Sequence, residues 1–268
     1  MKISVIGGGS TYSPELVGGL VERAALLGLR ELWLMDIDPE RLEVVGGFVR
    51  RMAAAAGAPF AVELTDDRSK AVAGASYVVT QLRVGKMAAR REDEYLGRRH
   101  GLIGQETTGV GGMAKALRTI PVIREIAAEM KRSAPDGTLL NFTNPSGLVT
   151  QSLGDVLDFG RGIGVCNVAI TTRMGMVERL EKLTGTKIDP ARTRLDTLGL
   201  NHLSWHRGFT LDGEDMWGQI LAGTVRELRS QKDPEWDPDW IERHRLIPNY
   251  YLQYYYHTAR KIAAQEKW

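Results

Sequence analysis

One cysteine, Cys166, stands among 268 residues. No internal disulfide can therefore staple the fold, and a reducing compartment is implied. Charge of one sign is also missing: 35 Lys and Arg face 33 Asp and Glu, a net of +2, which argues against a nucleic-acid partner. Long apolar runs are absent too. The uncharged stretch Thr138 to Gly154 contains Asn141, Asn144, Pro145 and Gln151, a composition unlike that of a membrane helix. The apolar N-terminal run is too short for a signal peptide, and glycines follow it at once. There is no internal repeat and no low-complexity segment. A cytoplasmic protein with no membrane partner is expected.

What is present is an ordinary globular composition, 43% hydrophobic and 25% charged. Such a chain buries roughly three quarters of its unfolded surface, enough for a real core. Short apolar strands are predicted at Ile3–Ile6, Leu32–Met35, Phe60–Leu64, Tyr77–Leu82, Thr138–Phe142 and within Arg161–Cys166. Helical patterns fall between them, among them Glu40–Ala56 and Met113–Lys131. That rhythm predicts an α/β fold with a Rossmann-like doubly wound parallel sheet. After about Thr172 the texture changes. Arg194–Leu200 and Leu203–Leu211 read as antiparallel strands turning at Asn201, Lys232–Trp240 as a loop, and Pro248 as the start of a helix running to the C-terminus. The expected division is residues 1–168, a dinucleotide-binding domain, and residues 169–268, a partial α+β domain for substrate, metal and oligomerisation.

Gly7, Gly8, Gly9 and Ser10 lie between a strand and a helix, where a pyrophosphate meets backbone N–H groups and the positive end of a helix. Tyr12 replaces the third glycine of the usual fingerprint. Asp36, ending the second strand, is placed to hold a ribose hydroxyl and so favours NAD over NADP. The bland alternative is a plain turn with Ser10 as a cap. Cys166 taken alone reads as a small buried hydrophobe, and His202 as a structural histidine. His202 and His206 have zinc-pair spacing only if helical. Five of the eight tyrosines crowd into Tyr250–Tyr256. Most suit an aromatic packing face. A basic phenol there would need its pKa pulled down from about 10, which a divalent cation does. Gly104–Gly112 is a polar glycine-rich loop, Asn141–Gly147 ends a buried strand with two amides beside a proline, and Arg90 belongs to a run of mixed charge.

Gly7-Gly8-Gly9-Ser10, Gly104-Gln105-Glu106-Thr107, Asn141-Phe142-Thr143-Asn144-Pro145, Gly164-Val165-Cys166-Asn167-Val168, Gly199-Leu200-Asn201-His202 and Tyr251-Leu252-Gln253-Tyr254-Tyr255 occur in this order. Together they resemble glycoside hydrolase family four, the NAD- and manganese-dependent 6-phospho-glycosidases, whose mechanism departs from the usual carboxylate pair. The resemblance runs from Met1 to about Tyr256. It implies a lactate/malate dehydrogenase-like fold. It also implies a reaction in which C3 of the sugar is oxidised, the C2 proton is removed, the glycosidic oxygen is eliminated, water adds at C1 and C3 is reduced again. By family position Tyr251 is the base and Glu106 the carboxylate that raises its basicity. Cys166 and His202 hold Mn²⁺ or another divalent metal, while Arg90 and Asn144 contact substrate.

Asn167 resembles the 6-phospho-β-glucosidase branch, although Ala169 stands where many β-members have proline. The substrate implied is a phosphorylated disaccharide or glucoside, and the assembly a homo-oligomer, dimer or tetramer. Family members continue beyond Trp268, so the family's C-terminal part, with a substrate arginine, is expected to be missing. Two other functions fit fewer of these residues: a simple NAD-dependent dehydrogenase, and a truncated non-catalytic NAD-binding module.

Overall fold

The structure, a computed structural model, describes residues 1–157 and 159–265. It divides into two compact units, Met1–Val165 and Cys166–Trp268. The first runs β1 (Lys2–Ile6), α1 (Ser13–Leu27), β2 (Glu31–Met35), α2 (Pro39–Ala55), β3 (Ala61–Thr65), α3 (Arg68–Val72), β4 (Tyr77–Thr80), α4 (Lys86–Arg99), α5 (Gly109–Ser133), β5 (Thr138–Asn141), α6 (Ser146–Leu157) and β6 (Gly162–Gly164). All six strands are parallel, in the order β3-β2-β1-β4-β5-β6.

Strand alternation sends side chains to both faces, and each face has its own core. Ile3 and Val5 of β1 and Leu32 and Leu34 of β2 pack with Val17, Leu20, Leu42 and Val49 of α1 and α2. On the other face Ile6, Val78 and Leu139 meet Ile123, Ile126 and Met130 of α5 and Val149 and Leu153 of α6. A sheet covered on both sides explains why its strands read as near-continuous apolar runs. α2 begins at Asp38, whose side chain accepts the Arg41 backbone N–H at 3.2 Å, with Pro39 in the first turn. α5 starts four residues before the predicted Met113, because Gly111 and Gly112 lie on its buried face.

The second unit comprises α7 (Val168–Thr184), β7 (Thr193–Leu200), β8 (Leu203–Leu211), β9 (Glu214–Asp215), α8 (Trp217–Ser230), α9 (Pro238–His244), β10 (Ile247–Pro248), α10 (Gln253–Tyr256) and α11 (Thr258–Gln265), with 3₁₀ turns at Pro190–Arg192 and Tyr250–Leu252. β7 and β8 form the predicted hairpin, Asn201 taking φ +46° in its turn. Phe209, Leu180, Ile220 and Ile241 centre the core.

Two expectations need correction here. The segment expected as a loop over Lys232–Trp240 already contains the start of α9: Asp237 caps the Asp239 N–H at 2.9 Å and Pro238 opens the helix. The helix expected from Pro248 is instead strand, 3₁₀ turn and two short helices. Pro248 pairs with Trp205, and the Asn249 side chain accepts the Tyr251 N–H at 3.0 Å, so regular helix starts only afterwards. The last stretch of that expected helix, residues 266–268, lies outside the described residues. Among the described residues no helix is long and apolar enough to cross a membrane.

Candidate active site

In the first unit the strand order reverses between β1 and β4, and open α/β sheets bind ligands outside the carboxyl ends of the strands at such a point. The loop after β1 carries Gly7, Gly8, Gly9 and Ser10. Gly7 has φ +93°, and a Cβ on it would lie 2.9 Å from the Gln81 carbonyl oxygen; a Cβ on Gly8 would lie 2.7 Å from that of Leu34. Glycine is thus demanded by close packing on the neighbouring strands.

The loop's N–H groups are largely engaged internally. Gly7 and Gly8 both donate to Met35 O at 2.9 and 2.8 Å, Gly9 to Asp36 Oδ2 at 2.9 Å and Ser10 to Gly7 O at 3.1 Å. The N–H of exposed Thr11 is left without a partner among the described residues, at the approach to α1. Ser10 does not cap α1, which starts from Tyr12 without a side-chain cap; its hydroxyl accepts the Tyr12 N–H at 3.3 Å. Gln81 bridges the turn from β4 by donating to Ser13 Oγ at 2.7 Å. A tight glycine cradle, a carboxylate at the end of β2 and an open N–H before a helix fit a dinucleotide.

Also in this unit, Glu106 lies at the centre of three cations. Its Oε2 accepts a short hydrogen bond from Arg83 and one from Lys115 Nζ at 2.9 Å, while Arg90 Nη1 stands 3.5 Å from Oε1. Arg90 also pairs with Glu94 at 2.9 Å. Burial alone would raise the Glu106 carboxyl, but the hydrogen bonds from Arg83 and Lys115 outweigh it and hold it below the ordinary value. At Lys115 burial prevails and pulls the ammonium down despite Glu106. With three cations facing one anion, the Glu106 carboxylate stays ionised.

Lys115→Met is expected to cost about 1–3 kcal/mol at neutral pH, and not more, because Arg83 and Arg90 remain to satisfy the carboxylate. A depressed carboxyl contributes stability above its unfolded pKa and loses it as pH falls through the folded one. The gap between wild type and Lys115→Met should therefore narrow as pH falls below the ordinary glutamate range. Urea unfolding at neutral and acid pH measures it; a constant gap would contradict this assignment.

In the second unit the residues named from the motifs draw together. Cys166 Sγ stands 3.5 Å from His202 Nε2. The His202 and Tyr251 rings stack with centroids 3.5 Å apart and planes inclined by 2°. β7, β8 and the turn between them carry His202. The Asn249-capped 3₁₀ turn carries Tyr251, and it is tied to the same hairpin by Asn249 N–H to Ser204 O at 2.9 Å and Asn249 Nδ2 to Ser204 Oγ at 3.1 Å. Burial holds the His202 imidazole below its ordinary pKa and so in the neutral, ligating form.

Around an ion the size of zinc, a thiolate at about 2.3 Å and an imidazole nitrogen at about 2.1 Å stand roughly 3.1–3.6 Å apart for angles of about 90–109°. The observed 3.5 Å fits two adjacent donors on one divalent cation. Among the described residues no group of three or more His, Cys, Asp or Glu is arranged to hold a metal. His206 does not join the pair: it is fully buried on β8, with Nδ1 3.0 Å from Thr197 Oγ1.

Asn167 adjoins Cys166, its Oδ1 3.9 Å from the sulfur. Asn144 sits just past β5, in a cis peptide with Pro145. Of the tyrosine cluster, Tyr250, Tyr255 and Tyr256 are exposed and only Tyr251 stacks on His202. Arg83 and Lys115 were missed by sequence reasoning. Lys115 had a signal: it falls on the helical stripe of Gly111, Gly112, Ala116 and Thr119, and a lysine on a buried stripe needs a partner.

A parallel sheet with a dinucleotide-type crevice and a separate thiol–imidazole–phenol cluster define a protein of dehydrogenase architecture with glycosidase-type motifs. The chain belongs to family 4 of the glycosyl hydrolases. The sequence model described as family 4 glycosyl hydrolase matches residues 2–182, and that of the family's C-terminal domain matches residues 197–267. That domain is therefore represented here. The chain spans about 60% of the length of the curated relatives it matches.

A probable 6-phospho-beta-glucosidase from Bacillus subtilis is 41% identical over 98% of this chain and 60% of its own length. The 6-phospho-beta glucosidase from Thermotoga maritima, solved with manganese, NAD+ and glucose-6-phosphate, superposes with a TM-score of 0.88 at 34% identity, covering 98% of this chain and 61% of that one. Lactate dehydrogenase from Eimeria maxima, at a TM-score of 0.56 and 15% identity over 83% of this chain and 60% of that one, shares the fold alone.

Proposed function

We propose that this chain carries the core of a 6-phospho-β-glucosidase that cleaves by elimination and re-addition of water. The observation that supports it most is the cluster of Cys166, His202 and Tyr251, a donor pair and a phenol with no place in a simple hydroxy-acid dehydrogenase. The names of the relatives support the phosphorylated glucoside as substrate, and Asn167 supports the β-linked class. NAD would be held by Gly7, Gly8, Gly9, Ser10 and Asp36, and Mn²⁺ or another divalent ion by Cys166 and His202. When bound, the coenzyme supplies a hydride acceptor and donor for C3 of the sugar, and the ion polarises the oxygens on C2 and C3.

The chain's own residues do the rest. Tyr251 takes the proton from C2, which lets the glycosidic oxygen leave C1. After water adds at C1, the same phenol returns a proton to C2. Stacking on His202 fixes the phenol's plane beside the donor pair. Glu106, kept ionised by Arg83 and Lys115, raises the basicity of Tyr251. Arg90, Asn144 and Asn167 orient the sugar phosphate. The near-neutral charge and single thiol support a cytoplasmic setting without nucleic-acid or membrane partners, and we extend the proposal to a homo-oligomer, dimer or tetramer.

Turnover in D₂O tests the mechanism. Proton removal at C2 by a half-exposed phenol exchanges with solvent, so glucose 6-phosphate released from a 6-phospho-β-glucoside should carry deuterium at C2. Product that keeps its original C2 hydrogen would mean direct displacement.

A further inference from the structure

At the rim of the glycine loop Asp36, proposed above to meet the coenzyme, lies beside a cation, Arg41, to which the proposed reaction gives no role. Asp36 accepts the Gly9 N–H on Oδ2 at 2.9 Å and the Asp38 N–H on Oδ1 at 3.0 Å. Each carboxylate oxygen keeps a free lone pair, which suits ribose hydroxyls. Across the same glycine lies Arg41, in the first turn of α2. Its Nε and Nη2 donate to Gly9 O at 3.3 and 3.1 Å. A Cβ on Gly9 would lie 2.9 Å from Asp36 Oδ2 and 3.1 Å from Arg41 Cβ, so carboxylate and arginine flank one residue. The cap of α2 uses only the Arg41 backbone N–H, not its guanidinium. Arg41 is exposed and has no carboxylate oxygen within 4 Å among the described residues; the nearby Asp38, whose carboxyl Lys86 and Arg41 both hold below its ordinary value, is bridged by Lys86 instead. Two of its five N–H groups are engaged and three remain.

A guanidinium pinned by a backbone carbonyl, with three N–H groups not engaged by the chain and beside the carboxylate proposed to meet a ribose, has the form of a phosphate receptor. We propose that Arg41 makes this rim a masked site for an adenosine 2′-phosphate, and that the charge of Asp36 is what keeps such a coenzyme out. The inference rests on the reading that the loop holds NAD. Coenzyme choice is then set by two side chains of opposite sign across Gly9. An acid at Asp36 favours the free 2′-hydroxyl, and its neutralisation hands the same position to Arg41.

The test is direct titration of the full chain by calorimetry with NAD, NADP, 5′-AMP and adenosine 2′,5′-bisphosphate. Wild type should bind NAD at least about 100-fold more tightly than NADP. In Asp36→Asn, NADP and the bisphosphate should gain at least about 10-fold over wild type, and that gain should vanish in Asp36→Asn/Arg41→Ala, a coupling between neighbours that the double-mutant cycle isolates. Failure of the wild type to bind NAD would sink the underlying reading and this inference with it. Retained NAD binding with no gain for NADP in Asp36→Asn would overturn the inference alone, as would a gain that survives loss of Arg41. An Asp36→Asn protein that binds neither coenzyme would also overturn it, since Asp36 would then be a strut of the loop and not a selector.

Discussion

Tyr251→Phe is expected to lower turnover of a 6-phospho-β-glucoside by about 10²–10⁴-fold, the range that general acid–base groups supply, while NAD affinity stays within a few-fold. The change removes one oxygen and leaves the ring, so the stack on His202 and the Asn249 cap of the 3₁₀ turn both survive. The glycine cradle belongs to the other unit and depends on packing against Leu34 and Gln81. Loss of turnover with retained coenzyme binding therefore assigns the proton transfer to the phenol. Activity near wild type would remove Tyr251 from the base role. Tyr254, whose ring lies 5.9 Å from that of Tyr251, would then be the next residue to test.

Cys166→Ser should weaken Mn²⁺ binding at least about 100-fold, because loss of outer partners alone costs 10–100-fold and here a direct donor is lost. Among the described residues no group of three or more His, Cys, Asp or Glu is arranged to hold a metal, so on the proposed reading the substitution removes one of the two named donors. Cys166 is half-buried and its partner His202 is held by the β7–β8 turn, so the substitution leaves the fold in place. Thiolate and imidazole do not by themselves select manganese, and metals later in the first transition row should bind this pair more tightly. Superimposable Mn²⁺ titrations of the two proteins, followed by calorimetry, would show that the sulfur is not a ligand.

Much of the first unit was legible because its determinants are local. Strand runs and helical stripes lie within single elements, and the glycine run stands between a strand and a helix; the Asp38–Pro39 start of α2, just ahead of the expected Glu40, was a further local signal that went unread. The 3₁₀ turn after Pro248 was not legible, because it is set by Asn249 binding Ser204 across the hairpin. The start of α9 could have been read from Asp237–Pro238, a cap and first-turn pair concealed among acidic and aromatic neighbours.

The site divided in the same way. Asp36 could be argued from its place after β2, whereas Arg83 and Lys115 meet Glu106 only through the tertiary fold. Cys166, His202 and Tyr251 each have a bland reading alone. Only the ordered set of motifs singled them out, and their distances supply a physical reason for grouping them.

The central claim is that coenzyme, metal and phenol act together in one redox-neutral cleavage. An omit-one assay on a chromogenic 6-phospho-β-glucoside, with NAD, Mn²⁺ and a thiol reductant each left out in turn, tests it most directly. Chromophore release that requires both NAD and Mn²⁺, with no net NADH at 340 nm, is the predicted result. NADH formed in step with product would mark a simple dehydrogenase. Absence of release from a chain that still binds NAD would contradict the account and leave a coenzyme-binding module.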